Sequence, residues 1–276
     1  TSPAPHAHSS EEIKKHVNIP VATVARINEP WMAEELIANE KCDMCMIGRP
    51  NLCDSEFANK AFEGKVDDIR PCIGCGRCLT GIMMGKRIGC TVNPSVEDDT
   101  IEEATDKKKV LVIGGGPAGM EAAYVAKKRG HEVVLCEKSN ELGGQLRLAA
   151  VPIAKQELCK VIKFMIRRLD HEGVEVRLNT EVTKEMLENE FKDYEIVCSS
   201  GATPKEIPPF KVFKNWMTAD DVLSGKKYPG RNIVVLGGGS VGCETADYLA
   251  PLINDLFPMN RKITLLEMTN NLMPGE

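Results

Sequence analysis

The segment KKVLVIGGGPAGMEAAYVAKKRGHEVVLCEK, residues 108–138, decides the fold. It predicts an apolar strand over 110–113, a glycine turn, an amphipathic helix over 118–129 and a second strand that ends at Glu137. This order is typical of a dinucleotide-binding unit, in which the pyrophosphate lies at the helix N-terminus and an acid accepts hydrogen bonds from a ribose. A tight turn, close approach of the pyrophosphate and close packing of helix on strand are the roles predicted for Gly114, Gly116 and Gly119.

The same pattern returns as NIVVLGGGSVGCETADYLA at residues 232–250, followed by the strand ITLLE, which ends at Glu267. The three glycine roles recur at Gly237, Gly239 and Gly242. Two such units in one chain predict two bound dinucleotides. A 2′-phosphate beside Glu267 would meet a like charge, so the second unit is expected to prefer NADH over NADPH.

A further glycine pair helps to decide which unit holds which nucleotide. It lies in KSNELGGQL, directly after the acid of the first unit. Gly144 and Gln145 would return the backbone close to the first nucleotide, as a bulky flavin dinucleotide requires. We therefore expect FAD in the first unit.

Four cysteines lie close together in the chain as CIGCGRC, then eleven residues, then a fourth cysteine; they are Cys72, Cys75, Cys78 and Cys90. A CxxCxxC loop supplies three thiolates from one turn and a returning segment supplies the fourth, which is typical of a 4Fe-4S cluster. Gly74 and Gly76 would let the loop fold closely around it. Structural zinc is the main alternative, although such sites usually consist of two separated CxxC pairs. Disulfides are less favoured, because no signal peptide precedes the cysteines.

The segment before the cysteines predicts strand, helix, strand over 19–27, 30–39 and 43–47, with the last strand buried. Gly48 and Arg49 follow directly, and Arg26 lies at the matching end of the preceding strand. The closing units of a (β/α)8 barrel bind a phosphate in this way. Taken alone, both arginines are more simply explained as surface residues. Cys42 and Cys45 form a CxxC, but on one strand they would point to opposite faces and share no metal.

Composition limits the classes of function. A length of 276 residues suggests about two domains. The formal charge is −5 and no basic stripe interleaved with aromatic residues occurs, which argues against nucleic acid as a partner. No apolar run approaches the roughly 18 residues of a membrane span. With 11 cysteines and no signal peptide, the chain is expected in the cytoplasm.

Read in order, GRP, CIGCGRC, CTVNP, GGGPAG, ELGGQ and GGGSVG resemble the iron-sulfur flavoenzymes related to 2,4-dienoyl-CoA reductase and 2-enoate reductase. This NADH:flavin oxidoreductase family, which contains an old yellow enzyme-like barrel, also includes trimethylamine dehydrogenase. The resemblance implies FMN held by Arg26, Gly48 and Arg49, a 4Fe-4S cluster on the four cysteines, FAD near Glu137 and Gln145, and a nicotinamide on the second unit. It also implies an α/β chain with C-terminal units of a TIM barrel at 1–66, a cluster segment at 67–108, an FAD-binding Rossmann-like domain at 109–230 and the start of an NAD-binding one at 231–276.

The expected activity is an NADH-dependent reduction of activated C=C bonds in a small enoate or enoyl-thioester. Two residues between the second and third cysteines are closer to the amine dehydrogenase branch, whereas the intact nicotinamide motif points to the reductases. An amine dehydrogenase with a protein electron acceptor and a noncatalytic electron-transfer module therefore stay open, as does a homo-oligomer. Most of the barrel is absent, so the chain is expected to be a piece of a longer protein. The catalytic general acid is expected outside it.

Overall fold

The computed structural model describes residues 2–96, 98, 100–205, 213–250 and 261–273. The chain forms two compact units. The first comprises residues 1–142 and 159–199, and the second comprises 143–158 and 200–276.

The first unit begins with a strand-helix-strand arrangement. After α1 (Ala7–Lys14), the strands β1 (Ala22–Val24) and β2 (Met44–Met46) pair in parallel and are joined by α2 (Pro30–Ala38). Pro30 opens α2, where its fixed φ suits the first helical turn. The buried side chains of this part are Ile27, Met32, Leu36 and Cys42. The predicted order of elements is present, and closure into a barrel stays a prediction.

Two expectations about this part were wrong. The strand β2 is not buried: Met44 is 49% and Met46 60% exposed, because nothing in the described residues covers that face. The thiols of Cys42 and Cys45 do not point apart but lie 3.8 Å from each other. Cys42 precedes β2 rather than lying on it, so the alternation of a strand does not separate the pair.

Three short helices surround the cysteine segment: α3 (Arg49–Cys53), α4 (Phe57–Phe62) and α5 (Arg77–Met83). The buried carboxylate of Asp54 holds this region together. It accepts hydrogen bonds from Lys60 Nζ at 2.7 Å and from the Arg70 amide at 2.7 Å. Because buried charges are stable only when paired and hydrogen-bonded, these contacts fix the start of the cysteine segment against α3 and α4.

The first unit also contains a four-stranded parallel sheet in the order β5-β4-β3-β6. Its strands are β3 (Lys109–Ile113), β4 (Glu132–Cys136), β5 (Glu175–Arg177) and β6 (Glu195–Cys198), and its helices are α6 (Pro117–Lys128), α8 (Leu158–His171) and α9 (Lys184–Glu188). Val112, Met120 and Leu169 lie in the core on one face, and Leu111 and Phe191 on the other. Burial on both faces explains why β3 and β4 are continuous apolar runs.

The second unit contains α7 (Gln145–Ala149), α10 (Ala219–Leu223), β7 (Asn232–Leu236), α11 (Ser240–Leu249) and β8 (Lys262–Leu266). β7 and β8 pair in parallel. Thr218 caps α10 in a capping box with Asp221. Among the described residues of both units, the helices are too short or too polar to cross a bilayer.

Candidate nucleotide and cluster sites

The glycine loop of the first nucleotide-binding unit joins β3 to α6. Gly114 turns the chain with φ at 105°. Gly116 is the extended residue before α6, and nothing lies within 4 Å of the place where its Cβ would be. A Cβ on Gly119 would lie 1.9 Å from the Gly114 carbonyl oxygen and 2.5 Å from Ser199 Oγ, so only glycine allows this approach of helix to strand.

The acid at the end of β4 folds back onto this loop. Glu137 is 8% exposed, and its Oε2 accepts a hydrogen bond from the Gly115 amide at 2.6 Å. Its Oε1 accepts from the Ser139 amide and from Ser139 Oγ, both at 2.8 Å. Burial acts to raise the pKa of Glu137, but the hydrogen bonds from Ser139 and Gly115 outweigh it, so the pKa is lowered. The carboxylate is therefore held ionised beside the loop.

The second unit repeats this geometry. Gly237 has φ at 100°, Gly239 has open space at its Cβ position, and a Cβ on Gly242 would lie 1.9 Å from the Gly237 carbonyl oxygen. Glu267 Oε2 accepts from the Gly238 amide at 2.6 Å. That hydrogen bond, followed by one from the Thr269 amide, lowers the pKa of Glu267. The two units thus share both the loop and the loop-to-acid contact.

The sequence prediction missed the middle glycine of each triplet. A Cβ on Gly115 would lie 2.4 Å from Leu142 Cδ2, and one on Gly238 would lie 2.6 Å from Leu272 Cδ2. A leucine therefore closes over the loop in both units, while the amide of the same glycine binds the acid. The signal was present as GGG in both loops and as a hydroxyl residue two positions after each acid.

Both loops fit a dinucleotide. The first amides of α6 and α11 have no partner within the helix, and the open space at Gly116 and Gly239 lets a pyrophosphate reach them. A carboxylate offers about four acceptor positions. Three hydrogen bonds occupy Glu137, which leaves Oε2 able to accept one more from a ribose hydroxyl.

Gly144 and Gln145, predicted to contact FAD, lie in the second compact unit. Gly144 has φ at 51° and precedes α7, whose first residue is Gln145. The Gln145 Nε2 donates to the Ala202 carbonyl oxygen at 2.5 Å. Their contact with a flavin stays a prediction.

The four predicted ligand cysteines line one cavity. Its walls also include Arg49, Leu52, Gly74, Gly76 and Val92, and the cysteines are Cys72, Cys75, Cys78 and Cys90. Gly74 and Gly76 adopt φ of 64° and 80°, which lets the CxxCxxC loop curl around the cavity. The spacing-based prediction of a common site for these thiols therefore agrees with their placement.

The walls of this cavity fit the predicted cluster ligands, since the four cysteines surround one space. A four-iron cluster binds each thiolate to a different iron. Structural zinc, which takes four sulfurs at about 2.3 Å from a single point, stays the alternative.

The thiols at the cavity differ in their electrostatic environment. Burial raises the pKa of Cys72, against the Gly74 amide and the charge of Arg49, which act to lower it. The pKa of Cys90 is lowered, first by a hydrogen bond from Cys53 and then by the Asn93 and Val92 amides. Cys53 is fully buried at the end of α3. It is a fifth thiol beside the cluster cavity, and the sequence pattern did not identify it.

The three residues predicted to hold a flavin phosphate line a second cavity. Arg26, Gly48 and Arg49 are among its walls, together with Val24, Ala25, Ile27, Met46 and Pro50. Ala25 and Arg26 follow β1 with φ of 82° and 49°, which side chains rarely adopt. Such strain is typical of functional sites, where the surrounding structure imposes it. Two arginines on the walls of one cavity match the charge of a phosphate.

A family model described as pyridine nucleotide-disulphide oxidoreductase matches residues 108–276, more than half of the chain. The chain therefore belongs to the pyridine nucleotide-disulphide oxidoreductase family. This confirms the predicted Rossmann-like architecture and, at the level of the family, the prediction of an oxidoreductase. It also supports FAD and NAD(H) as the nucleotides.

Individual relatives match nearly the whole chain. NADH oxidase of Thermoanaerobacter brockii is 41% identical over 279 residues, which are 95% of this chain and 41% of the relative. Cinnamate reductase of Clostridium sporogenes is 36% identical, covering 96% of this chain and 39% of the relative. The solved structure of a 2-naphthoyl-CoA reductase matches with a TM-score of 0.90 at 30% identity, over 99% of this chain and 41% of that one. The resemblance to flavoenzymes of the enoate reductase type is thus confirmed, and the chain spans about two fifths of these relatives.

Because a Cβ would clash at Gly119 but not at Gly116, alanine substitutions at these two glycines should have different effects on stability. Gly119→Ala forces its Cβ against a backbone carbonyl and should lower the free energy of unfolding by about 1–3 kcal/mol or more. Gly116→Ala meets open space and should leave stability unchanged while weakening FAD binding. Denaturant unfolding and FAD titration of both variants measure the two effects.

Equal stability of the Gly119 and Gly116 variants would contradict the packing role. Unaltered FAD affinity in a stable Gly116→Ala protein would contradict the placement of the pyrophosphate.

The lowered pKa of Glu137 predicts a pH-dependent contribution to stability. Because the folded pKa lies below the usual 4.5, this contribution is complete above that pH and is lost as pH falls through the folded pKa. Replacing Glu137 by Gln should destabilise the protein by about 1–3 kcal/mol near neutral pH. The single carbonyl oxygen of Gln can accept from Ser139 or from Gly115 but not from both, and the NH2 group faces the remaining donor. Urea unfolding from about pH 7 to about pH 3 should show the difference from wild type shrinking in acid.

The exposed Glu102 supplies the control, since Glu102→Gln removes an acid that contacts neither glycine loop. If the loss of unfolding free energy caused by Glu137→Gln stays constant down to the lowest pH, the carboxylate charge is not what binds the loop.

Proposed function

We propose that the chain is the electron-transfer part of an NADH-dependent reductase of activated C=C bonds, of the 2-enoate or 2,4-dienoyl-CoA type. The observation that carries this proposal is the placement of two arginines and four cysteines on two cavities that share Arg49, in a chain that continues into two dinucleotide-binding units. Relatives named cinnamate reductase and 2-naphthoyl-CoA reductase support a small enoate or enoyl-thioester as substrate.

In this proposal residues 1–66 are the C-terminal part of an FMN-binding barrel and residues 67–108 carry the 4Fe-4S cluster. Residues 109–230 form the FAD-binding domain, and 231–276 begin the NAD-binding domain. The cofactors, when bound, would pass electrons from NADH through FAD, the cluster and FMN to the alkene.

The chain's own groups position these cofactors. Arg26 and Arg49 would bind the FMN phosphate as paired guanidinium groups. Glu137 and Glu267 would accept from the ribose hydroxyls of FAD and NADH, since both carboxylates are held ionised beside their loops. Thr269 and Asn270, which follow Glu267, carry no positive charge for a 2′-phosphate, and this favours NADH.

The state of the cysteines is consistent with a reducing compartment. None of the eleven cysteines forms a disulfide in the structure, and the sulfurs of Cys42 and Cys45 lie 3.8 Å apart. We propose a cytoplasmic protein, because glutathione and thioredoxin keep such thiols reduced there.

One observation favours a second candidate. Only two residues separate Cys75 from Cys78, which is the spacing associated above with the amine dehydrogenase branch. Such an enzyme would take electrons from an amine and deliver them to a protein acceptor.

Replacement of one cluster ligand tests the proposed relay. In the full-length protein, Cys75→Ser should abolish NADH-dependent alkene reduction, because the cluster cavity loses one thiolate ligand. Transfer from NADH to an artificial dye should persist, since the two nucleotide-binding units are untouched. Alkene turnover with cinnamate, NADH-to-dye turnover, and iron and sulfide content are the measurements.

Cys159→Ser is the matched control, because Cys159 is an exposed thiol on α8 outside the cluster cavity. It should leave both activities and the iron content unchanged. Undiminished cinnamate reduction in the Cys75 variant would rule out electron transfer through the cluster.

Stopped-flow mixing separates the two candidate functions. Anaerobic NADH should bleach the flavin absorbance of the full-length protein in a single turnover, and NADPH should do so at least tenfold more slowly at equal concentration. Bleaching by an alkylamine, with none by NADH, would instead support the amine dehydrogenase. Glu267→Gln should bring the bleaching rates with NADH and NADPH closer together, because the substitution removes the negative charge that repels the 2′-phosphate.

A further inference from the structure

The phosphate cavity and the cluster cavity share one side chain that can act on both. Arg49, the first residue of α3, lines the cavity formed with Arg26 and Gly48. It also lines the cavity formed by the four cysteines. Both cavities lie in the first compact unit, so the distance between them is set by packing within that unit.

A second set of contacts holds the two cavities side by side. A Cβ on Gly74, in the cysteine loop, would lie 3.5 Å from Arg26 Nε. Asn28 Nδ2 donates to the Cys72 carbonyl oxygen at 2.9 Å. The chain that follows β1 is therefore in direct contact with the CxxCxxC loop, and the spacing between the cavities is fixed.

The structure gives Arg49 no ion pair with any of the residues that it describes. Among the described residues no carboxylate lies within ion-pair distance of its guanidinium, whereas Lys60 and Arg167 are both paired. Its side chain is also on the wall of the cluster cavity, together with Cys72 and the other three cysteines. A guanidinium on the walls of both cavities would stabilise negative charge in each of them.

We propose that Arg49 couples the two sites, holding the flavin phosphate while its charge sets the reduction potential of the cluster. This inference rests on the proposed function, since it requires the cluster and the flavin. Reduction adds one electron to the cluster and makes or breaks no bond. The added negative charge is stabilised by Arg49, so the reduction potential is high when Arg49 is free and falls when a phosphate dianion pairs with it.

The coupling works in both directions. Phosphate lowers the cluster potential, and by thermodynamic linkage reduction of the cluster weakens phosphate binding by the same factor. A cluster beside an occupied flavin site is therefore a stronger reductant than a cluster beside an empty one. Electrons would leave the cluster readily only when the accepting flavin is in place.

The test is an anaerobic redox titration of the cluster, followed by electron paramagnetic resonance, in full-length protein freed of FMN. Saturating inorganic phosphate, with binding checked by calorimetry, should change the oxidised-to-reduced ratio at fixed potential about tenfold, equivalent to a fall of 59 mV for a one-electron couple. Arg49→Gln should show the lowered potential without phosphate and no further response to it. Arg49→Lys keeps the charge and should restore the higher potential.

Arg231→Gln is the matched control, because it removes an exposed guanidinium in the second compact unit. It should leave both the potential and its response to phosphate unchanged. A wild-type potential that ignores saturating phosphate, absence of phosphate binding, or an Arg49→Gln potential equal to that of wild type would overturn the coupling.

Metal analysis separates failure of this inference from failure of the proposed function. Zinc without acid-labile sulfide would defeat both. If the protein contains iron and sulfide but the cluster potential does not change with Arg49→Gln or with phosphate, the coupling is wrong and the proposed function is unaffected. If the Arg49→Gln protein does not retain the cluster, the change in the wild-type cluster potential on addition of phosphate still tests the coupling.

Discussion

The approach of a helix to the carbonyl end of the preceding strand is the contact on which both nucleotide-binding units depend. In each unit a glycine lies where a Cβ would be 1.9 Å from a carbonyl oxygen, at Gly119 and at Gly242. This approach brings the first amides of the helix beside the strand end, where the middle glycine of the triplet can donate to the acid. The positions of the helix N-terminus and of the acid therefore both follow from one packing constraint.

The two units differ in how completely the sheet around this contact is covered. In the first unit four parallel strands have apolar residues on both faces, and Glu137 is 8% exposed. In the second unit only two strands pair among the described residues, and Val234 is 59% exposed. The loop-to-acid distance is nevertheless 2.6 Å in both. The loop geometry is thus set locally by the glycines and the acid, and it does not require the full sheet.

This locality explains what the sequence could predict. The turn at Gly114, the close approach at Gly119 and the placement of the four cysteines on one cavity were predicted from motif spacing. The binding roles of these residues stay predictions. The helix predicted over 118–129 differs from α6 (Pro117–Lys128) by one residue at each end. Contacts that depend on tertiary packing were not predictable: Leu142 over Gly115, Cys53 beside Cys90, and Arg49 on two cavities. The exposed face of β2 was missed for the same reason, because an apolar strand predicts burial and not what provides it.

Two arginines join the segment that precedes the cysteines to helix α8 of the first nucleotide-binding unit. One arginine belongs to the helix and the other to the segment. Arg167 on α8 donates to Asp68 at 2.7 Å and to Asp67 at 3.2 Å, just before the cysteines. Arg70 lies over the ring of Phe164 on the same helix, with 5.7 Å between its guanidinium carbon and the ring centroid.

In the proposed function these contacts would keep a constant distance between the electron-transfer centres. The ion pairs of Arg167 are partly exposed and contribute little stability on their own. The contact of Arg70 is less exposed to solvent, since Phe164 is buried and the Arg70 amide is tied to Asp54. Arg70 also acts electrostatically on Cys90. Arg70 thus joins this segment to α8 and also sets part of the electrostatic environment of Cys90, so a change in the joint would also reach the proposed cluster ligand.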